Sequence, residues 1–397
     1  MPDYKYLIVG GGMAAEAAVH GIREVDRNGS IGLIGAERHP PYDRPPLSKG
    51  LWKGKPLKSV WRKSEGMGVT FHLGRRAKQI DARNRRVTDD EGTVHAFGKL
   101  LLATGASPRR LPFGAEQIIY YRTLDDYERL RALTGQGRRF AVIGGGFIGS
   151  EVAAALAMNG KETVLAFPDE GICGRVFPPD IATFLNEYYR KKGVDVLAGA
   201  RVTGMESRQG QPILKVSQPP NWNEQEVAAD GVVAGIGVQP NVELAQAAGL
   251  EVDNGIRVDA SLRTSHPDIY AAGDVAGFHN PALDMWLRVE HEDNANTMGA
   301  MAGRAMAGEK VSYDHLPMFY SDLFDLGYEA VGEIDARLET VADWKDPFRE
   351  GVIYYVRAGR VRGVLLWNVW EQVDAARRLI AEPGPFRAVD LKGRLPA

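Results

Sequence analysis

"YLIVGGGMAAEAAVHGI", residues 6–22, runs from an apolar stretch through a glycine cluster into an alanine-rich segment. The apolar run predicts a buried strand, the glycines a tight turn and the alanines a helix. Within it, Gly10-x-Gly12-x-x-Ala15 has the spacing of a dinucleotide-binding turn. The first glycine of such a turn permits the sharp bend and the second lets backbone approach a pyrophosphate at the helix N-terminus, with alanine allowed at the third position. "SIGLIGAE" (30–37) reads as the next strand and ends on Glu37, where a carboxylate can bind ribose hydroxyls.

The same plan recurs about 130 residues later in "FAVIGGGFIGSEVAAALAMNG" (140–160), with Gly144-x-Gly146-x-x-Gly149 as its turn. "ETVLAFPDE" (162–170) is the strand that follows, and it carries Asp169. An acid at this place favours NADH and repels the 2′-phosphate of NADPH. Arg175 nearby could instead accept that phosphate, so NADPH stays open behind NADH. Two strand–turn–helix–strand units predict an α/β protein with two doubly wound dinucleotide-binding domains. Two such sites on one chain need two dinucleotides, and a resident flavin with a visiting nicotinamide is the pair that makes chemical sense.

"KLLLATGASPR" (99–109), "GVVAGIGVQPN" (231–241) and "SHPDIYAAGDVAG" (265–277) read as further buried strands ending in glycine turns. From about residue 313 the texture alternates as antiparallel strands and hairpins do, and "WEQVDAARRLIAE" then reads as a helix. A third, smaller α+β domain is expected there.

Composition narrows the function classes. The chain has 397 residues, enough for two or three domains, with 44% hydrophobic and 25% charged residues. A net charge of −2 argues against a nucleic-acid binder. The single cysteine, Cys173, rules out a disulfide or a paired-thiol relay within one chain. A strand begins within a few residues of the N-terminus and no run of 18 apolar residues occurs, so neither a leader peptide nor a membrane span is expected. A cytoplasmic protein is the expectation, with no metal site.

The motifs "PYDRPPLSKGLW", "IGGGFIGSE", "GIGVQPN", "YAAGDVA", "RVEHEDNA" and "YSD", in this order and spacing, resemble the FAD-dependent pyridine nucleotide reductases of the glutathione-reductase-like fold. The resemblance covers the whole chain and is to the ferredoxin reductase and apoptosis-inducing factor-like branch. It implies FAD bound by residues 1–112 and 245–312, NAD(H) by 113–244, and a C-terminal interface domain at 313–397.

The resemblance also assigns roles. Lys49 resembles the family lysine beside flavin N5, and Glu151 its ion-pair partner. The ammonium would stabilise negative charge on the reduced flavin while the carboxylate keeps the lysine charged despite burial. Arg44, Ser48 and Arg109 are similar to positions lining the flavin. Gly10, Gly12, Ala15 and Glu37, the Ala103-Thr104-Gly105 turn, Asp274, Glu290 and His291 complete the implied FAD set. Gly144, Gly146, Phe147, Ile148, Gly149, Glu151, Asp169, Arg175 and Gly237 form the implied NAD set, with Phe147 shielding the flavin face. Where many relatives carry Trp-Ser-Asp, this chain has Tyr320-Ser321-Asp322. The segment 333–355 leaves no room for the long insertion of animal apoptosis-inducing factor.

The implied activity is hydride transfer from NADH to flavin N5, followed by single electrons to a ferredoxin-like acidic carrier. The alternatives are a slow NADH-responsive redox sensor that dimerises, and a reductase of quinone, oxygen or monodehydroascorbate; a homodimer is among the states allowed. "KGLWKGKPLKSVWRK" (49–63) carries six basic residues, no acid and two tryptophans, and reads as a surface patch for an acidic carrier.

Overall fold

The computed structural model describes residues 3–64 and 66–396. These fall into two compact units. The first comprises residues up to Arg44, Leu57–Ser107 and Gln239–Met318. The second comprises Pro45–Pro56, Pro108–Val238 and the segment from Phe319 onward. The short stretch holding Ser48 and Lys49 thus groups with the second unit, and residues 319–396 group with it too.

In the first unit, strand β1 (Asp3–Val9) leads through the glycine turn into helix α1 (Met13–Val25) and on to β2 (Ile31–Gly35). β1 is the middle of a sheet, parallel to β2 on one side and to the strand Val94–Leu102 on the other. Strand Ile269–Ala271 adds in parallel beyond Val94–Leu102. Tyr6, Leu7, Ile8, Leu100 and Leu101 are all buried, as expected for strands covered on both faces. The alanines and glycines of α1 have a packing reason. A Cβ on Gly299 would lie 2.3 Å from the Ala14 carbonyl oxygen, and one on Gly303 2.1 Å from that of Ala18. α1 therefore meets the helix Glu292–Met306 backbone to backbone, and only small residues fit the crossing.

In the second unit, β3 (Arg139–Ile143), α2 (Phe147–Met158) and β4 (Glu162–Phe167) repeat the plan. The sheet is wholly parallel, with strand Val194–Ala198 outside β4 and strands Gly231–Ala234 and Ile118–Tyr120 beyond β3. An antiparallel sheet from Phe319 onward includes the hairpin Glu350–Arg357 and Arg360–Trp367, with helix Val373–Ala381 on its surface. The hairpin turns through Ala358 and Gly359 at φ 50° and 74°, the left-handed pair that suits a two-residue loop.

Both doubly wound sheets and the α+β C-terminal part are thus present. Some boundaries differ from the sequence reading. β4 stops at Phe167 rather than 170, because Pro168 has no N–H to extend the ladder. The stretch 231–241 breaks at Gly237, whose φ of 91° turns the chain. The last long helix starts at Val373, since Glu371 sits at φ 63° and cannot be helical.

Candidate active site

Both glycine turns have a geometry that backbone contacts dictate. Gly10 lies at φ 133°, and a Cβ there would sit 2.0 Å from the Ala103 carbonyl oxygen. Gly144, at φ 109°, would meet the Gly235 carbonyl oxygen at 2.4 Å, and a Cβ on Gly149 would meet that of Gly144 at 1.8 Å. These glycines are fixed by backbone packing. Gly12 and Gly146 differ: each is the N-cap of its helix, no side chain caps the first turn, and a Cβ would meet nothing within 4 Å. Two helix N-termini with uncapped N–H groups and open space before them fit two pyrophosphates. Ala15 is buried in the first turn of α1.

Several predicted residues of the first unit already hold one another. Glu37 accepts from Arg44 Nη2 at 2.5 Å and from Tyr42 Oη at 2.5 Å, and Arg44 lies over the Tyr42 ring. Ala103 N donates to Val9 O. Thr104 Oγ1 donates to Asn241 O at 2.8 Å and Asn241 Nδ2 returns to Thr104 O at 2.7 Å, so the turn is clamped, with Gly105 at φ 65°. Asn241 was visible in "GIGVQPN" but carried no signal of this pairing. Asp274 lies half-buried in a short 3₁₀ turn whose carbonyl accepts from Arg288 Nη1. Glu290 takes a second Arg288 hydrogen bond at 2.6 Å. His291 is the N-cap of the helix Glu292–Met306, and burial pushes its imidazole down to about 4, so it is neutral near pH 7.

The second unit holds the densest cluster. Glu151 is buried on α2. Its Oε1 accepts from Lys49 Nζ at 2.7 Å and from Ser321 Oγ at 2.5 Å; its Oε2 accepts from Ser48 Oγ at 2.5 Å. Lys49 Nζ also lies 5.4 Å from the centroid of the Tyr320 ring. Behind them, Tyr121 Oη and Trp52 Nε1 both donate to the Leu47 carbonyl, at 2.5 and 2.8 Å, and anchor the proline-rich loop. A buried ion pair stands only when its remaining hydrogen-bonding capacity is met, and the two serines do that here. Ser321 was not singled out from sequence, although "YSD" contains it.

Elsewhere in this unit Phe147 packs on Phe319, with ring centroids 5.0 Å apart, and Ile148 is exposed. Arg175 Nε lies 3.3 Å from Asp169 Oδ1, so these two residues neutralise each other at the surface. Arg109 donates through its backbone N to Gly237 O and through Nε to Val238 O. Cys173 is buried and its thiol is pushed up to about 12 by burial, which leaves it protonated and unreactive. Among the described residues no cluster of His, Cys, Asp and Glu is arranged to hold a metal ion, and no helix is long and apolar enough to cross a membrane.

The expected basic, aromatic surface patch at 49–63 is built only in part. Trp52 is buried, because its indole N–H is spent on the Leu47 carbonyl. Lys49 and Lys53 pair with Glu151 and Asp322, and Arg62 with Glu16 and Asp43. Lys55, Lys58 and Lys63 are exposed.

Residues 4–299 match the family described as pyridine nucleotide-disulphide oxidoreductase. Residues 302–347 and 342–382 match the C-terminal family of mitochondrion-associated apoptosis-inducing factor. The ferredoxin–NAD(+) reductase component of the anthranilate 1,2-dioxygenase system of Burkholderia cepacia is 36% identical over 97% of each chain. Apoptosis-inducing factor 1 of Dictyostelium discoideum is 31% identical over 95% of this chain and 78% of its own. The crystal structure of the covalent putidaredoxin reductase–putidaredoxin complex superposes with a TM-score of 0.89 at 30% identity, over 97% of this chain and 94% of that one. The chain belongs to the pyridine nucleotide-disulphide oxidoreductase family. It is an FAD-dependent NAD(P)H oxidoreductase, and its lone inert cysteine means that it works without the dithiol of the family's name.

Proposed function

We propose that the chain carries electrons from NADH through bound FAD to a ferredoxin-like iron–sulfur protein. The observation that carries this reading is the Ser48–Lys49–Glu151–Ser321 cluster, in a chain with two uncapped dinucleotide turns and no second thiol. Bound FAD would accept two electrons as hydride and release them singly to an outside carrier. The protein's part is binding and electrostatics. The N-terminus of α1, with Gly10 and Gly12, would receive the FAD pyrophosphate, helped by Ala103–Gly105, Asp274, Glu290 and His291. The N-terminus of α2 would receive that of NADH, with Asp169 on the ribose and Phe147 shielding the flavin face. In this assignment residues 1–112 and 245–312 serve FAD, 113–244 serve NAD(H), and 313–397 close the site. Lys49 would place one fixed positive charge where negative charge develops, and Glu151 would hold that charge in place. A cytoplasmic location suits such a carrier system.

Reconstitution with NADH and a panel of [2Fe–2S] ferredoxins tests this. Carrier reduction well above the rate given by free FAD is expected; no reduction of any ferredoxin sinks the assignment of the acceptor.

The C-terminal match favours one second reading, an NADH-responsive redox sensor that turns over slowly and dimerises. A long-lived charge-transfer band after NADH, with NADH-dependent dimerisation, would support it; prompt reoxidation by a carrier would exclude it.

A further inference from the structure

The strand Met318–Leu323 addresses the Lys49–Glu151 pair directly. Its burial alternates, with Ser321 inward at 1% exposure and Tyr320 outward at 38%. Ser321 Oγ is 2.5 Å from Glu151 Oε1, the same oxygen that takes the Lys49 ammonium at 2.7 Å. Two donors on one oxygen divide its charge. With Ser48 on the other oxygen, the carboxylate has a fixed orientation and one fixed direction left for the lysine. A carboxylate held this way cannot rotate to draw the ammonium fully onto itself.

We infer that Ser321 is a positioning residue, whose hydroxyl sets how much of the Lys49 charge Glu151 leaves available to the flavin. The inference rests on the proposed placement of Lys49 beside that cofactor. Removing the hydroxyl leaves Oε1 to Lys49 alone, so the ammonium settles onto the carboxylate. The reduced flavin then loses part of its counter-charge and its potential falls.

The test uses the FAD-loaded protein with Ser321→Ala, Ser321→Thr, Lys49→Ala and the Ser321→Ala/Lys49→Ala double variant. FAD content and thermal midpoint serve as folding controls. Dye-equilibrium titration gives the flavin potential, and stopped-flow absorbance gives flavin reduction by NADH. Ser321→Ala is expected to lower the potential and slow reduction at saturating NADH about tenfold, the effect of one hydrogen bond to a charged group. NADH affinity should not change, Ser321→Thr should restore both quantities, and Ser321→Ala should add nothing once Lys49 is gone. If Lys49→Ala shifts rate and potential but Ser321→Ala does not, the hydroxyl merely satisfies a buried charge and the inference is overturned. Fully additive effects overturn it too, because Ser321 would not then act through Lys49. If neither variant shifts the potential, the placement of Lys49 itself fails and the role of Ser321 falls with it.

Discussion

Glu151 Oε1 receives the Lys49 ammonium at 2.7 Å while Glu151 itself is 3% exposed, so the second unit carries a nearly dry ion pair. The two ends are supported unequally. Glu151 keeps the hydroxyls of Ser48 and Ser321 if the lysine is lost. Lys49 keeps the face of the Tyr320 ring if the glutamate is lost. Glu151→Leu should therefore cost about 3 kcal/mol, since a buried ammonium is left without a counter-charge. Lys49→Met should cost less, about 2 kcal/mol, because the carboxylate it leaves without a counter-charge retains two hydroxyl hydrogen bonds. Urea titration of both variants checks the order, and equal costs would mean that the serines do not sustain the carboxylate.

The glycines of the second turn separate folding from binding. A Cβ on Gly149 would lie 1.8 Å from the Gly144 carbonyl oxygen, whereas one on Gly146 would meet nothing within 4 Å. Gly149→Ala should lower stability by about 2 kcal/mol or more through overpacking. Gly146→Ala should cost well under about 1 kcal/mol as an N-cap change, yet raise the KM for NADH about tenfold by crowding the anion site. Thermal unfolding read beside NADH kinetics distinguishes the two. A Gly146→Ala protein with unaltered KM would remove the pyrophosphate from that helix end.

Both glycine turns were legible in the sequence because a positive φ and a backbone contact leave no other residue type at Gly10 and Gly144. Glu151 stood out as an acid in an otherwise apolar helix. Ser321 did not, because its partner lies 170 positions away and a serine on a strand has no pattern that names an acceptor. Trp52 was misread for a related reason. It sits in irregular chain, where no period of 2 or 3.6 tells inside from outside, and its burial depends on the Leu47 carbonyl. Arg44 and Glu37 were recognised singly, while their mutual ion pair emerged only from the fold.

The proposed determinants of coenzyme choice, Asp169 and Arg175, are two surface residues that touch. Asp169 holds Arg175 at 3.3 Å, so the guanidinium is not presented alone to a 2′-phosphate. Asp169→Ser removes both the repelling carboxylate and the restraint on Arg175. The NADH-to-NADPH ratio of kcat/KM should fall about tenfold or more. Adding Arg175→Ala should reverse most of the gain with NADPH. Steady-state kinetics with both coenzymes decides it, and an unchanged ratio in Asp169→Ser would refute the assignment.

Acid should loosen the first unit. Burial and the neighbouring His95 lower His72, whose ring lies 4.7 Å from that of His95, and burial lowers His291 to about 4. Asp89, whose Oδ2 lies 3.1 Å from His95 Nε2, works in the opposite direction on His72, while Arg75 reinforces the lowering. A histidine whose folded pKa lies below its unfolded value of about 6.5 binds fewer protons in the folded state than in the unfolded one. Its contribution is intact above about pH 6.5 and is lost as the pH falls below that value, for His291 down to about 4. Unfolding free energy should therefore drop between pH 6.5 and 4. His72→Gln, which can keep a hydrogen bond to Tyr4 Oη in place of the present 2.8 Å contact, should flatten the upper part of that slope. Urea titrations at half-unit pH steps give the slope directly; a His72→Gln curve parallel to the parent would show that His72 does not contribute to it.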